Sequence, residues 1–373
     1  MSVKSRPPFR ADQVGSLIRP DSLRQARKDF DAKKMSREEL TKIQKAEIPA
    51  VIKMQEDIGF RAVSDGEYNR GSWHHDFLLA LENVSLAKSN VKVKFHTADG
   101  VVLNSPPTMQ VTGKLGRRQP IFLDDFKYAK SLTDRVVKQS IPSPTILHFR
   151  GGRDAIDSKA YPTIEEFYDD LAAVYRQEIA DLAAAGCTFL QIDETNLAYL
   201  CDPELRDHAR SIGEDPDRLL RTYAKLLNDT IRDRPANMTV CVHLCRGNYA
   251  GAWVAEGGYE PVAEVLFNEI GFDGYFLEYD SDRAGGFEPL RFLPKGKNVV
   301  LGLVTTKNGK LESKDTLKRR IGEAAKIVPL DQLCLSPQCG FASGIEGMAM
   351  SIDEQKAKLR LIVETAAEVW TDA

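Results

Sequence analysis

One local pattern recurs along this chain and constrains its fold more than any other feature: an amphipathic helix, a glycine, then a short apolar strand that ends in a carboxylate. Three copies read Gly59-FRAVSD-Gly66-Glu67, Gly186-CTFLQI-Asp193-Glu194 and Gly271-FDGYFL-Glu278, each after a helical period such as TIEEFYDDLAAVYRQEIADLAAA. A helix commonly stops on a residue in the left-handed conformation, which glycine adopts at little cost, and the chain then reverses into a strand. Helix starts agree, because Ser36-x-x-Glu39, Thr163-x-x-Glu166 and Ser351-x-x-Glu354 each fit a capping box. Short apolar runs predict strands at DQVGSL near Val14, RAVSD near Ala62, the segment ending Ile141-Pro142 and TFLQI near Leu190, then TVCVHL, GYFLEY, NVVLGLV and QLCLS. Eight strands alternating mostly with helices predict an α/β fold, a (β/α)8 TIM barrel.

Residues 90 to 121 break the pattern: VKVKFHT, a turn at Asp99-Gly100, VVLNS and TMQVTG read as a β-hairpin insertion. At ~150 residues per domain, 373 residues allow two or three domains, but the strand series uses nearly the whole chain and no linker interrupts it. A single barrel over residues 1–373 is expected, with length beyond ~250 residues as decoration. A 42% hydrophobic and 28% charged composition describes a soluble globular chain, and a net charge of −3 gives no footprint for nucleic acid. Neither a secretory h-region nor a run of ~20 apolar residues is present, so a cytoplasmic protein is expected. The six cysteines then stay reduced and are of interest as ligands or nucleophiles.

In such a barrel, reactive side chains sit at the C-terminal ends of strands, where the loops converge. Ser16, Glu67, Asp193, His243, Cys245, Glu278 and Cys339 all fall at or just after predicted strand ends. Taken singly, an acid there is as well read as a helix cap. The run Val-Cys241-Val-His243-Leu-Cys245 is more informative, because strand residues two apart share a face and the last two stand at the mouth. His-x-Cys can grip zinc, with Glu278 and Cys339 as the natural further ligands; the competing reading makes the cysteines small core residues and His243 a hydrogen-bonded one. Two thiolates and a carboxylate leave zinc electron-rich, suited to keeping a substrate thiol deprotonated for attack on carbon rather than to hydrolysis.

These residues resemble those of the cobalamin-independent methionine synthase family, specifically its catalytic C-terminal barrel. The likeness runs through Val14-Gly15-Ser16, Asp65-Gly66-Glu67, Ser143-Pro144-Thr145-Ile146, Gln191-Ile-Asp193-Glu194, His243-x-Cys245, Glu278 and Pro337-x-Cys339-Gly340. It implies transfer of a methyl group from methyltetrahydrofolate, or another small donor, to homocysteine, giving methionine. By resemblance, His243, Cys245, Glu278 and Cys339 would be the zinc ligands. Gly15 and Ser16 would meet an amino-acid carboxylate, while Glu67 and Asp193 would meet its ammonium group. Lys307 stands where the family has a histidine that passes a proton, and with Asp193 it is a catalytic candidate. Phe149 and Tyr199 stand where the family places a tryptophan and a glutamate around the pterin. His74 and His75 follow Glu67 and are candidates for the same mouth; Arg117 and Arg118 are candidates for an anionic tail. Two other readings stay open: a thiol alkyltransferase like the epoxyalkane:coenzyme M transferases, and a non-catalytic barrel with structural zinc. The partners expected are a small-molecule thiol and a methyl or alkyl donor, with no nucleic acid and no membrane.

Overall fold

The glycine-punctuated pattern produces a parallel sheet curled on itself. The computed structural model describes residues 4–88, 92–97, 99–345 and 350–373. Among these, eleven strands occur in chain order. They are β1 (Ala62–Val63), β2 (Val84–Ala87), β3 (Val93–Thr97), β4 (Gly100–Asn104), β5 (Thr108–Val111), β6 (Val136–Pro142), β7 (Phe189–Glu194), β8 (Thr239–Leu244), β9 (Gly274–Glu278), β10 (Asn298–Val304) and β11 (Leu333–Pro337). Seven of them form one sheet in the order β1-β6-β7-β8-β9-β10-β11, and every pairing is parallel.

The N-terminal segment fills the eighth position. Ala11 bridges Leu335 in parallel, Leu335 N donates to Arg10 O at 2.8 Å, and on the other side Leu17 N donates to Gly66 O at 3.0 Å. The expected strand near Val14 is therefore a single bridge rather than a regular strand. Polar groups interrupt its ladder: Lys138 Nζ donates to Gln13 O and Gln191 Nε2 to Val14 O at 2.6 Å. The barrel closes through this segment, and the fold is the expected (β/α)8 TIM barrel.

Helices cover the sheet where the caps placed them. Helix Arg37–Ile58 starts on a reciprocal capping box at Ser36 and ends at Gly59, whose φ of 108° is left-handed. Helix Ile352–Val369 starts on the same box at Ser351, while Thr163 caps helix Ile164–Ala184 through its own hydroxyl only. Gly271 departs from the pattern: its N–H donates to Asn228 Oδ1 at 2.8 Å, and it is absent from the positive-φ glycines. The fully buried leucines, isoleucines and aromatics between helices and sheet, such as Leu171, Tyr175, Ile192 and Leu227, contribute about 1.5–3 kcal/mol each.

The insertion is present and starts earlier than expected. β2 pairs with β5 and, nested inside, β3 pairs with β4, so the paired residues run from Val84 to Val111. The expected turn falls at Asp99, and Gly100, the partner of Thr97, already opens the second strand; residues 90, 91 and 98 lie outside the described residues. No helix among the described residues is long and apolar enough to cross a membrane.

Candidate metal centre

Alternation along the strands decides which side chains enter the barrel and at what height. On β7 the inward series is Phe189, Gln191, Asp193; on β8 it is Cys241, His243, with Cys245 just beyond; on β9 it is Phe276, Glu278. Each series is apolar at the bottom and polar at the mouth. The register sets Asp193 beside His243 and Gly302 beside Glu278, and Cys339 follows the end of β11.

The result is one cluster. One ligand atom each from His243, Cys245, Glu278 and Cys339 lies within 4.8 Å of all the others. The two sulfurs are 3.3 Å apart, close to the ~3.7 Å that two thiolates at ~2.3 Å from a tetrahedral ion span. His243 is 2% exposed, yet neither ring nitrogen has a hydrogen-bond partner among the described residues. An unpartnered buried imidazole costs on the order of 1–3 kcal/mol per polar group, so a cation at this point would relieve it. Imidazole, two sulfurs and a carboxylate are the donor set that zinc takes, and the residues fit that ion.

The electrostatics agree. The hydrogen bond with Cys339 holds the Cys245 thiol well below its ordinary range, and the same contact, with burial, pushes Cys339 well above it. Burial, then the Cys245 charge, pushes Glu278 up, with Lys307 and Arg283 pulling it back. Burial alone would lower His243, but Cys245, Asp193 and Glu278 outweigh it and the net direction is up. These are the signs of an anion-rich pocket.

The cluster opens on a cavity of about 890 Å³, lined also by Ser16, Glu67, Asp193, Phe149 and Tyr199. Cys245 is partly exposed. Burial, then repulsion from Glu67, pushes Asp193 up to about 7. Glu67 Oε1 accepts from Ser140 Oγ at 2.8 Å, but Glu67 Oε2 is buried and unpartnered among the described residues. Two carboxylates thus face one space, with Glu67 paired to Arg70 through Oε1 and its Oε2 left bare among the described residues. Ser16 lies against the Cys339 loop, since a Cβ on Gly340 would overlap Ser16 Oγ. Gly15 does not itself line the cavity; its carbonyl accepts from Ser64 Oγ at 2.6 Å.

The other candidates divide. His74 and His75 line the cavity, their rings 4.2 Å apart, and burial keeps both imidazoles neutral-leaning, with pKa values lowered. Phe149 and Tyr199 stand 5.8 Å apart on one wall. Lys307 is not on the cavity wall: its Nζ donates to Gly247 O at 3.1 Å, behind the Cys245 loop. Arg117 and Arg118 do not face the site. Arg117 is paired with Glu178 and Asp181, and Arg118 with Glu82 at 2.9 Å, because each finds a carboxylate on the barrel's flank.

Two buried arginines and one partly buried arginine escaped the sequence reading. Arg70 pairs with Glu67 at 3.3 Å and donates to Ser140 O at 2.7 Å. Arg19 donates to Glu67 O at 2.8 Å and to Ala342 O at 2.7 Å, tying Glu67 to the Cys339 loop. Arg283 donates to Glu278 Oε2 at 3.1 Å. The Glu67-x-x-Arg70 spacing was a signal for the first; nothing in the sequence points to Arg19 or Arg283.

Comparison with known proteins places these features in a family. The family model described as the catalytic domain of cobalamin-independent synthase matches residues 9–368. The uncharacterised protein YxjH of Bacillus subtilis is 42% identical over 369 residues, covering 97% of this chain and 95% of that protein. A crystal structure from Listeria monocytogenes, provisionally described as a vitamin-B12-independent methionine synthase, is 35% identical with a TM-score of 0.79, covering 98% and 99% of the two chains. The 5-methyltetrahydropteroyltriglutamate–homocysteine methyltransferase of Mycobacterium leprae is 24% identical over 98% of this chain, but only 44% of that protein is spanned.

Proposed function

The chain belongs to the cobalamin-independent synthase catalytic-domain family, and on that premise we propose that it is a zinc-dependent methyltransferase acting on the thiol of homocysteine and forming methionine. The methyl donor in this reading is methyltetrahydrofolate or another small methylated molecule. We take the 373 residues as one barrel unit with the nested ribbon as its insertion, working in the cytoplasm. The observation that carries the reading is the sharing of one cavity by three members of the four-ligand cluster, His243, Cys245 and Cys339, and the carboxylates Glu67 and Asp193.

His243, Cys245, Glu278 and Cys339 would hold the ion. When bound, zinc supplies a positive centre beside which a thiol stays deprotonated at neutral pH. The chain's own residues aim that thiol. An ammonium group between Glu67 and Asp193 gives Glu67 Oε2 the partner it lacks and draws Asp193 back toward the ordinary carboxylate range. Each such charge-assisted hydrogen bond contributes about 1.5–3 kcal/mol. Ser16 receives the carboxylate at the other end, and Arg70 keeps Glu67 from swinging away. Sulfur then attacks the methyl carbon as the bond from carbon to the donor atom breaks; that atom keeps the electron pair and takes a proton. Lys307 would supply that proton by leaving Gly247 O, its partner off the cavity wall. Phe149 and Tyr199 offer aromatic surface to the donor, and a volume of about 890 Å³ accommodates an amino acid and a second organic molecule together.

Two observations favour this over the alternatives. A structural zinc site is closed by its ligands, whereas here Cys245 is partly exposed to a cavity. A sulfonate thiol such as coenzyme M brings no ammonium group for Glu67 and Asp193. The test is incubation of zinc-loaded protein with homocysteine and a panel of methyl donors, methionine being read by mass spectrometry, alongside calorimetry of homocysteine against coenzyme M. Methionine formation and selective binding of homocysteine are expected; no methionine with any donor, or preference for coenzyme M, would contradict the proposal.

A further inference from the structure

The nested ribbon is joined to the metal centre by a continuous set of contacts. His96 on β3 and Trp253 exchange two backbone hydrogen bonds, His96 N to Trp253 O at 2.8 Å and Trp253 N to His96 O at 3.0 Å. Their rings stack 5.9 Å apart at 15°. Trp253 belongs to the loop that begins at Cys245, and this loop folds back on itself, Val254 N and Ala255 N both donating to Arg246 O. The Arg283 guanidinium lies 5.5 Å from the Trp253 ring centroid. The same guanidinium donates to Glu278 Oε2 at 3.1 Å, and Glu278 Oε1 accepts from Arg246 N at 2.7 Å.

Both oxygens of one metal-ligand carboxylate are thus oriented by groups whose own positions depend on the loop that the ribbon grips. Arg283 Nη2 also donates to Asp280 Oδ1 at 2.6 Å and Nη1 to Ser281 Oγ at 2.6 Å, so its own turn supplies part of its support and the Trp253 ring the rest. Its side chain is 9% exposed and Glu278 is fully buried, which keeps their interaction from being screened by solvent. A carboxylate oxygen has a second lone pair, so these bonds leave Glu278 able to reach a cation while restricting its rotation.

We propose that Arg283 is a positioning residue that couples the docking of the ribbon, through Trp253, to the orientation of Glu278, and hence to how tightly the centre holds its ion and accepts the thiol. Ribbon and metal centre form one mechanical unit: lifting the ribbon at His96 and Trp253 removes one support of Arg283 and loosens Glu278. The inference rests on the metal reading above and adds to it a link that the four ligands alone do not supply.

A double-mutant cycle on zinc affinity, measured by competition with a chromophoric chelator, tests the link. Loss of a group that orients a ligand typically costs 10–100-fold in metal affinity. Arg283→Met is expected to loosen zinc by about tenfold or more. Trp253→Leu is expected to loosen it by a smaller factor, and the double variant is expected to lose no more than Arg283→Met alone. The cobalt(II)-substituted protein gives a second readout: Arg283→Met should shift its absorption bands, and Arg283→Lys should recover part of the shift. If Trp253→Leu lowers the melting temperature strongly, His96→Ala, which removes only the ring stacking, replaces it in the cycle. An Arg283→Met loss smaller than tenfold, no loss from Trp253→Leu or its replacement, or fold-losses that multiply in the double variant would overturn the coupling while leaving a zinc- and homocysteine-binding parent intact. A parent that takes up no zinc would overturn the metal reading and this inference together.

Discussion

At the bottom of the barrel, Lys138 and Asp12 are fully buried, 2.9 Å apart, and each of them is answered: Lys138 also donates to Gln13 O and lies 4.0 Å from the Phe276 ring centroid, while Asp12 accepts from Phe9 N and Gln13 N. At the mouth, His243 and Glu67 are nearly as buried, at 2% and 3% exposure, but His243 has no hydrogen-bond partner and Glu67 keeps one oxygen bare among the described residues. Both ends bury ionisable groups inside the same barrel. The Lys138–Asp12 pair has used its polar capacity for folding, whereas His243 and Glu67 keep theirs in reserve beside a cavity, and that difference marks the mouth as the end suited to a ligand.

The largest expected effect separates the ends most sharply. Lys138→Met leaves Asp12 buried and unpaired and should cost about 3–5 kcal/mol in urea unfolding, with zinc content of the folded protein unchanged. His243→Ala should do the reverse. Zinc affinity, read by chelator competition, should fall roughly 100-fold or more. The stability of the metal-free protein should move by less than about 1.5 kcal/mol, because lost packing is offset by removal of two unsatisfied nitrogens. A metal-free His243→Ala protein as destabilised as Lys138→Met would break the comparison.

A finer division within the mouth follows. Asp193→Asn should raise the KM for homocysteine by about 10–100-fold, the loss of one charge-assisted contact, while leaving stoichiometric zinc in place. Equal KM values for parent and variant would remove Asp193 from amine binding.

The smallest effect concerns His148, buried on the flank between sheet and helices, its Nδ1 2.9 Å from Tyr223 Oη. Burial, then Arg153, pushes its pKa down to about 4. The folded value lies below the unfolded value near 6.5, so the contribution is fully present above pH 6.5 and is lost as pH falls toward 4. Unfolding free energy should drop by roughly 1–2 kcal/mol more between pH 7 and pH 5 in the parent than in His148→Gln. Equal slopes would place the pH sensitivity elsewhere.

What could be read in the sequence was what repeats with a period. Alternation on β8 put His243 and Cys245 on one inward face, and the helix–glycine–strand pattern located Glu67, Asp193 and Glu278 at strand ends; the site assembled from them as the barrel closed. What stayed hidden depends on contacts between residues far apart in the chain. Arg19 reaches Ala342 and Arg117 reaches Glu178 across gaps that no local pattern encodes. The segment at Val14 shows the same limit from the other side: its composition favours a strand, but side chains from β6 and β7 take carbonyls that a ladder would use. The ribbon's true start at Val84 was missed because β2 and β5 pair outside the alternating run that signalled the inner hairpin.

The central claim is that the mouth holds a metal ion that receives the substrate's sulfur. X-ray absorption at the zinc edge, on protein with and without homocysteine, tests it most directly. Without the thiol, a shell of two sulfurs and two nitrogen or oxygen neighbours is expected from Cys245, Cys339, His243 and Glu278. With homocysteine, a third sulfur should enter the shell. A shell identical in both states, or zinc without two sulfur neighbours at the outset, would contradict the account.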